Sequence, residues 1–132
     1  MNSWPCFSQE EVDAVSNVLL SNKVNYWTGQ EGKKFEREFA SWCDTKYSVA
    51  LANGTIALEL ALKALSIGPG DEVIVTPRSF IASVSCVVSV GATPVFADVD
   101  LNSGNINPSS IKGLINKKTK AIICVHLAGF PL

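Results

Sequence analysis

From Tyr47 onward, short apolar runs alternate with segments of helical period, and no other feature limits the possible folds of this chain so strongly. "YSVAL" (47–51), "EVIVT" (72–76), "TPVFADV" (93–99) and "KAIICVHL" (120–127) each read as a strand. Between them lie helical segments over Thr55–Leu65 and Ser79–Val90, and a short one opened by Pro108 that reaches about Asn116. Proline is at home in a first helical turn, and Gly91 supplies a stop. The run "EVIVT" is continuously apolar over Val73, Ile74 and Val75, as in a parallel strand covered on both faces. Strands separated by helices specify right-handed βαβ units and a three-layer αβα architecture around a mostly parallel sheet.

The segment before Tyr47 has a different texture. Ser8 and Glu11 have the spacing of a capping box, and Val12, Val15 and Leu19 follow at helical intervals to an end near Ser21-Asn22. An irregular aromatic loop, "KVNYWTGQEG", leads to a second helix from about Glu31 to Cys43, with Phe35, Phe39 and Trp42 on one face. The expected organisation is a helical arm over 1–46 packed on an α/β layer over 47–132. In the third helix Leu58, Leu62 and Leu65 are the expected core positions, and Glu59 and Lys63 form an i,i+4 pair on the wet side.

Composition narrows the function. The 132 residues are 47% hydrophobic and 17% charged, with a net charge of −1, so a sizeable core is expected. Lys and Arg are scattered, which argues against nucleic acid as a partner. No run reaches the roughly 18 apolar residues of a membrane span. The start, "MNSWPCFSQEEV", lacks the basic and apolar regions of a signal peptide. Cys6, Cys43, Cys86 and Cys124 are widely spaced without CxxC and read as reduced, buried thiols of a cytoplasmic protein. His126 is the single histidine, so a His-pair metal site is excluded and no metal site is assigned.

The chemistry concentrates at one turn. In "ALANGTIALELAL", the first apolar run breaks at Asn53-Gly54-Thr55 and restarts at once as a helix. The first N–H groups of a helix lack intrahelical partners and, with the helix dipole, favour an anion. Gly54 permits close backbone approach, Thr55 adds a hydroxyl, and Asn53 can cap the helix. This is a plausible phosphate cradle, although the same three residue types also begin helices that bind nothing. GxGxxG, GxxxxGK[ST] and GxSxG are absent. "TPRSF" (76–80) repeats the strand–turn–helix arrangement and offers Phe80 either to the core or to a flat ligand. His126 leaves the last strand at the same edge. Asp98 and Asp100 are expected to cap or solvate the loop that follows the third strand.

The stretch "ALANGTIALELALKALSIGPGDEVIVTPRSFIASVSCVVSVGATPVFADVD", with "KAIICVHLAGFP" and "VNYWTGQEGKKFEREFA", resembles the DegT/StrS-type aminotransferases that act on nucleotide-linked sugars. The resemblance covers nearly the whole chain. It implies part of the large domain of the type I fold of pyridoxal-phosphate-dependent transferases, and a role in making amino sugars for surface polysaccharide or lipopolysaccharide. By that resemblance Gly54 and Thr55 match the turn that holds the cofactor phosphate. Phe80 matches the aromatic that stacks on the pyridine ring, and Asn25, Tyr26, Trp27 and Thr28 match a segment near the substrate mouth. It also implies a homodimer, a nucleotide-sugar substrate and an amino-acid amino donor. "HLAGFP" departs from the family's commoner "HLYGQP". The family's Schiff-base lysine lies beyond Leu132, so the chain reads as the N-terminal part of such an enzyme, with no catalytic residue of its own and inactive alone. The alternatives are a non-catalytic binding or dimerisation module derived from such an enzyme, and an unrelated nucleotide-binding α/β domain. In the type I fold the first strand does not pair with the next three, so "YSVAL" is expected to lack its partner and the chain to self-associate.

Overall fold

The computed structural model describes residues 4–132; the first three residues of the N-terminal stretch read above lie outside the described residues. The chain forms two compact units, one reaching to Ala50 and the other from Leu51 to Leu132. Among the described residues no helix is long and apolar enough to cross a membrane.

The N-terminal unit holds α1 (Gln9–Leu20) and α2 (Glu31–Trp42). The capping box forms as expected. The Glu11 N–H donates to Ser8 Oγ at 3.3 Å, and the Ser8 N–H donates to Glu11 Oε2 at 2.6 Å. The apolar stripe of α1 finds little cover: Val12, Val15 and Leu19 stay exposed, and no residue of this helix is buried. On α2 the expected aromatic face is present as a stack, Phe35 on Phe39 and Phe39 on Trp42, with ring centroids 5.6 and 5.8 Å apart.

The second unit is built on β1 (Glu72–Val75), β2 (Thr93–Phe96) and β3 (Thr119–Ile122), in the order β2-β1-β3 and parallel throughout. Three helices accompany them: α3 (Gly54–Ala64), α4 (Ala82–Ser89) and α5 (Pro108–Lys112). Successive strand residues point to opposite faces, and β1 shows this in its packing. Val73 and Val75 pack with Leu62 of α3 and with Cys86 and Val87 of α4, whereas Ile74 packs with Ala97, Ile106 and, on the α5 side, Ile111 and Leu114. Helices therefore cover both faces, and Val73, Ile74 and Val75 have no exposed surface at all. Pro94 lies in edge strand β2, where a missing N–H is tolerated.

Several expectations change. Residues 47–51 form no ladder with any described strand, and Tyr47 and Val49 are more than 70% exposed, so the sheet has three strands where the sequence suggests four. An extended apolar run becomes a strand only through its neighbour, and none of the described segments takes that place. Leu65 is exposed because it is the C-cap of α3, beyond the turn that Leu62 buries. Helix α4 starts at Ala82 rather than Ser79, leaving Phe80 in the preceding turn. Helix α5 stops at Lys112, ahead of Asn116. Of the four thiols only Cys86 is buried; Cys6, Cys43 and Cys124 are exposed, and all four are free. The remaining local readings hold. Gly91 ends α4 at a φ of 81°, and Lys63 Nζ meets Glu59 Oε1 at 2.6 Å.

Candidate functional site

Chain direction brings the singled-out residues of the second unit to one edge. Helix α4 joins the end of β1 to the start of β2, so it begins at the C-terminal edge of the sheet. Helix α3 ends only a short turn before β1 and packs side by side with α4, so its 11 residues, about 16 Å of helix, run back toward the same edge. Gly54 and Thr55 at the start of α3, Phe80 before α4, and His126 after β3 are all sited by these connections. Ligands of open parallel sheets bind at this edge.

The turn into α3 is capped and still has donors to give. Asn53 is extended and its Oδ1 accepts the Ile56 N–H at 3.0 Å, while its carbonyl accepts the Ala57 N–H at 3.1 Å. The N–H groups of Gly54 and Thr55 and the Thr55 hydroxyl meet no acceptor among the described residues. Open space surrounds the α-carbon of Gly54: a Cβ there would meet nothing within 4 Å. Two free amides and a hydroxyl on an exposed helix start suit a small anion.

Phe80 is 74% exposed and belongs to neither cluster of buried residues in this unit. The turn holding it is anchored at its root, where the buried Thr76 hydroxyl accepts the Arg78 N–H at 3.2 Å. Ser79 and Ser83 share a 2.7 Å hydrogen bond at the entrance to α4. His126 is exposed, and its Nδ1 accepts the Leu132 N–H at 2.9 Å.

Residues 25–28 belong to the other unit, where Asn25 serves its own turn. Its Oδ1 accepts from the N–H groups of Trp27 and Thr28, both at 3.0 Å, and from the Thr28 hydroxyl at 3.1 Å. Tyr26 donates its hydroxyl to Glu36 Oε2 at 3.0 Å, which raises the phenol pKa, and Glu36 Oε1 also accepts the Ala50 N–H. Trp27 meets Tyr26 edge to face and is 88% exposed, leaving its indole as the freest side chain of the loop.

Asp98 and Asp100 organise the loop after β2, as the sequence suggests. Asp98 Oδ1 accepts the Val99 N–H, and Asp100 Oδ1 accepts the N–H groups of Asn102 and Ser103 and the Ser103 hydroxyl. Those backbone hydrogen bonds hold the Asp100 carboxyl below its ordinary pKa. Sequence reading misses Asn105. Nearly buried, it accepts the Leu127 N–H and donates to the carbonyls of Phe130 and Pro131, so the segment after β3 is fixed against this loop. No local motif signals that role, because the partners lie more than twenty residues away.

The DegT/DnrJ/EryC1/StrS aminotransferase family matches residues 5–132 of this chain. A dTDP-3-amino-3,6-dideoxy-alpha-D-galactopyranose transaminase of Aneurinibacillus thermoaerophilus is 45% identical over 121 residues, which is 92% of this chain and 33% of that enzyme. Among solved structures, the aminotransferase from Psychrobacter cryohalolentis is 65% identical with a TM-score of 0.95, over 98% of this chain and 33% of that one. The pyridoxal-phosphate form of the putative sugar aminotransferase Spr1654 from Streptococcus pneumoniae is 37% identical with a TM-score of 0.88, over 97% of this chain and 32% of that one. The chain thus spans about a third of the length of the curated relatives it matches. Its parallel sheet between two helical layers is a part of the type I transferase fold that these enzymes share.

Proposed function

Since this chain belongs to the DegT/DnrJ/EryC1/StrS aminotransferase family, we propose that it forms the phosphate-anchoring and ring-stacking part of a pyridoxal-phosphate-dependent aminotransferase. The substrate in this reading is a nucleotide-linked keto sugar, the donor an amino acid, the assembly a homodimer and the setting the cytoplasm. The observation that carries it is the turn into α3, where the amides of Gly54 and Thr55 and the Thr55 hydroxyl are unspent beside open space. The similarity to a dTDP-sugar transaminase supports the substrate class.

The residues fit the group. The Gly54 and Thr55 amides and the Thr55 hydroxyl would hold the cofactor phosphate, as charge-assisted hydrogen bonds to an anion at a helix start. Gly54 leaves the space beside this helix start open, since nothing lies within 4 Å of where its Cβ would be. Phe80 would lie against the pyridine ring, restrict its orientation and shield one face from water. Asn25, Tyr26, Trp27 and Thr28, of the other unit, are the substrate-side residues in this reading, and the exposed indole of Trp27 is free to meet a sugar. Pyridoxal phosphate, when bound, supplies the electron sink that lets an amino group replace a keto oxygen. In this reading the lysine that would hold the cofactor lies outside these 132 residues, so this chain alone would bind and orient and would perform no transamination.

A graft tests the reading. Residues 1–132 would replace the matching third of the Psychrobacter cryohalolentis aminotransferase, and cofactor affinity and turnover would be measured. Thr55→Val in the graft should weaken cofactor binding by roughly 1–3 kcal/mol, the scale of a hydrogen bond to a charged group. Unchanged affinity would remove Thr55 from the anchor. Transamination by the isolated 132-residue chain would overturn the division of labour.

A further inference from the structure

We propose that Arg78 recognises a phosphate group of the substrate, in a groove of about 440 Å³ lined by Arg78, Asn102, Ser103, Leu127, Ala128 and Phe130. The inference rests on the aminotransferase reading for the identity of that substrate, and on the geometry of the groove for the rest.

Arg78 lies two residues before Phe80 in the turn from β1 to α4, at the sheet edge where the cofactor is assigned. Its backbone is fixed by the buried Thr76 hydroxyl. Its guanidinium lies over Gly104: a Cβ at that position would collide with the Arg78 head group and with the Leu127 side chain. Gly104 has a φ of 70°, a left-handed conformation that favours glycine, and the missing Cβ leaves room for the Arg78 head group to lie close above it. The floor under the arginine is held from two sides. The Gly104 N–H donates to the Asp100 carbonyl at 2.8 Å, and Asn105 fixes Leu127 on the other side.

The guanidinium has no acidic partner among the described residues. Among the described residues the ion pairs are Lys34–Glu31 and Lys63–Glu59. Of the two carboxylates of the adjoining loop, Asp98 has one oxygen taken by the Val99 N–H and Asp100 has one oxygen taken by three donors of that loop. Asn102 offers an exposed side-chain amide with no hydrogen bond among the described residues, and Phe130 contributes a half-exposed ring as an apolar wall. Arg78 is exposed and its guanidinium makes no hydrogen bond or ion pair among the described residues, so a free guanidinium, an amide and an aromatic wall meet in one groove and match an anion that carries a less polar body. A phosphate ester of a sugar has that chemistry, and the planar fork of arginine matches its oxygens.

Titration of the full 132-residue chain with inorganic pyrophosphate, followed by 1H–15N spectra that include the Arg78 Nε–H, tests this. The expected result is a saturable shift of the Arg78 Nε–H and the Gly104 amide. Arg78→Gln should weaken that binding at least tenfold while the α4 amides stay in place, and Arg78→Lys should restore part of it. Absence of a saturable shift at Arg78, or equal affinity in Arg78→Gln, overturns the proposal. A parallel titration with pyridoxal phosphate reads the Gly54 and Thr55 amides. If those respond and Arg78 does not respond to pyrophosphate, the Arg78 assignment falls and the cofactor cradle stands. If Arg78 responds and they do not, the groove stands and the cradle falls.

Discussion

The side-chain carbonyl of Asn105 accepts the backbone N–H of Leu127 at 3.1 Å, across 22 residues of chain. The same amide donates to the carbonyls of Phe130 and Pro131 at 3.2 and 3.1 Å, so one nearly buried side chain satisfies three backbone groups of the segment that follows β3. Asn105→Ala leaves all three without this partner and should destabilise the second unit by about 1–3 kcal/mol. In Asn105→Asp the introduced carboxylate faces the two carbonyls, so the loss at neutral pH should exceed that of alanine. It should shrink on acidification, because the protonated form can donate again. Thermal denaturation of the three proteins at neutral and acidic pH reads this. A smaller loss for aspartate than for alanine at neutral pH would show that Asn105 acts only by accepting from Leu127.

Phe80 and Ile74 make a matched pair of large apolar residues with opposite exposure, 74% and 0%. Truncating Ile74 to alanine should cost about 2–5 kcal/mol, because it opens a cavity in the layer between the sheet and α5. Phe80→Ala should change stability by no more than about 0.5 kcal/mol, as for a surface position. In the grafted enzyme it should lower cofactor affinity. A loss of stability in Phe80→Ala comparable to that of Ile74→Ala would return Phe80 to the core.

What the sequence makes legible follows the reach of each interaction. The capping box of Ser8 and Glu11, the Asn53 cap, the Glu59–Lys63 pair and the stop at Gly91 all close within four residues, and all are found where their spacing puts them. The burial of Val73, Ile74 and Val75 is legible for a related reason, since an unbroken apolar run calls for cover on every side. "YSVAL" looks just as apolar, yet it forms no ladder: apolarity says that a run needs cover, and not whether a neighbour is present. The exposed thiols fail for the same reason. At the candidate site, the turn at Asn53-Gly54-Thr55 is legible because cap and free donors are local. Asn105 and the pairing of Arg78 with Gly104 are not, since each joins segments that only the fold brings together.

Acid should loosen two exposed turns ahead of the core. Glu11 is held below its ordinary pKa by hydrogen bonds from the Ser8 backbone and hydroxyl, and Asp100 by those from the Ser103 and Asn102 backbone and the Ser103 hydroxyl. A carboxyl whose folded pKa is depressed stabilises the fold above its unfolded pKa, and that contribution is lost as pH falls through the folded value. The amide shifts of Glu11, Asn102 and Ser103 should therefore titrate below the ordinary carboxylate range, before the β1 amides respond. Asp100→Asn keeps the accepting Oδ1 and removes the charge, so the Asn102 and Ser103 amides should become insensitive to acid in that range. Persistence of their titration in Asp100→Asn would assign it to another group.

The last prediction concerns association. The N-terminal unit exposes Val12, Val15, Leu19, Phe35, Phe39 and Trp42, and the segment leading to α3 exposes Tyr47 and Val49. The outward edges of β2 and β3 pair with no described strand. Open strand edges and contiguous apolar surface recruit other chains, and burying apolar surface is favourable at about 25 cal/mol per Å². The isolated 132-residue chain should therefore sediment as more than one copy at micromolar concentration. The capping box makes α1 a preformed helix with its apolar stripe exposed, so α1 is the element most able to supply the contact. Charging that stripe, as in Val15→Lys with Leu19→Glu, should shift the distribution toward the monomer without altering the β1 amides. A compact monomer of the unmodified chain at that concentration would sink the argument.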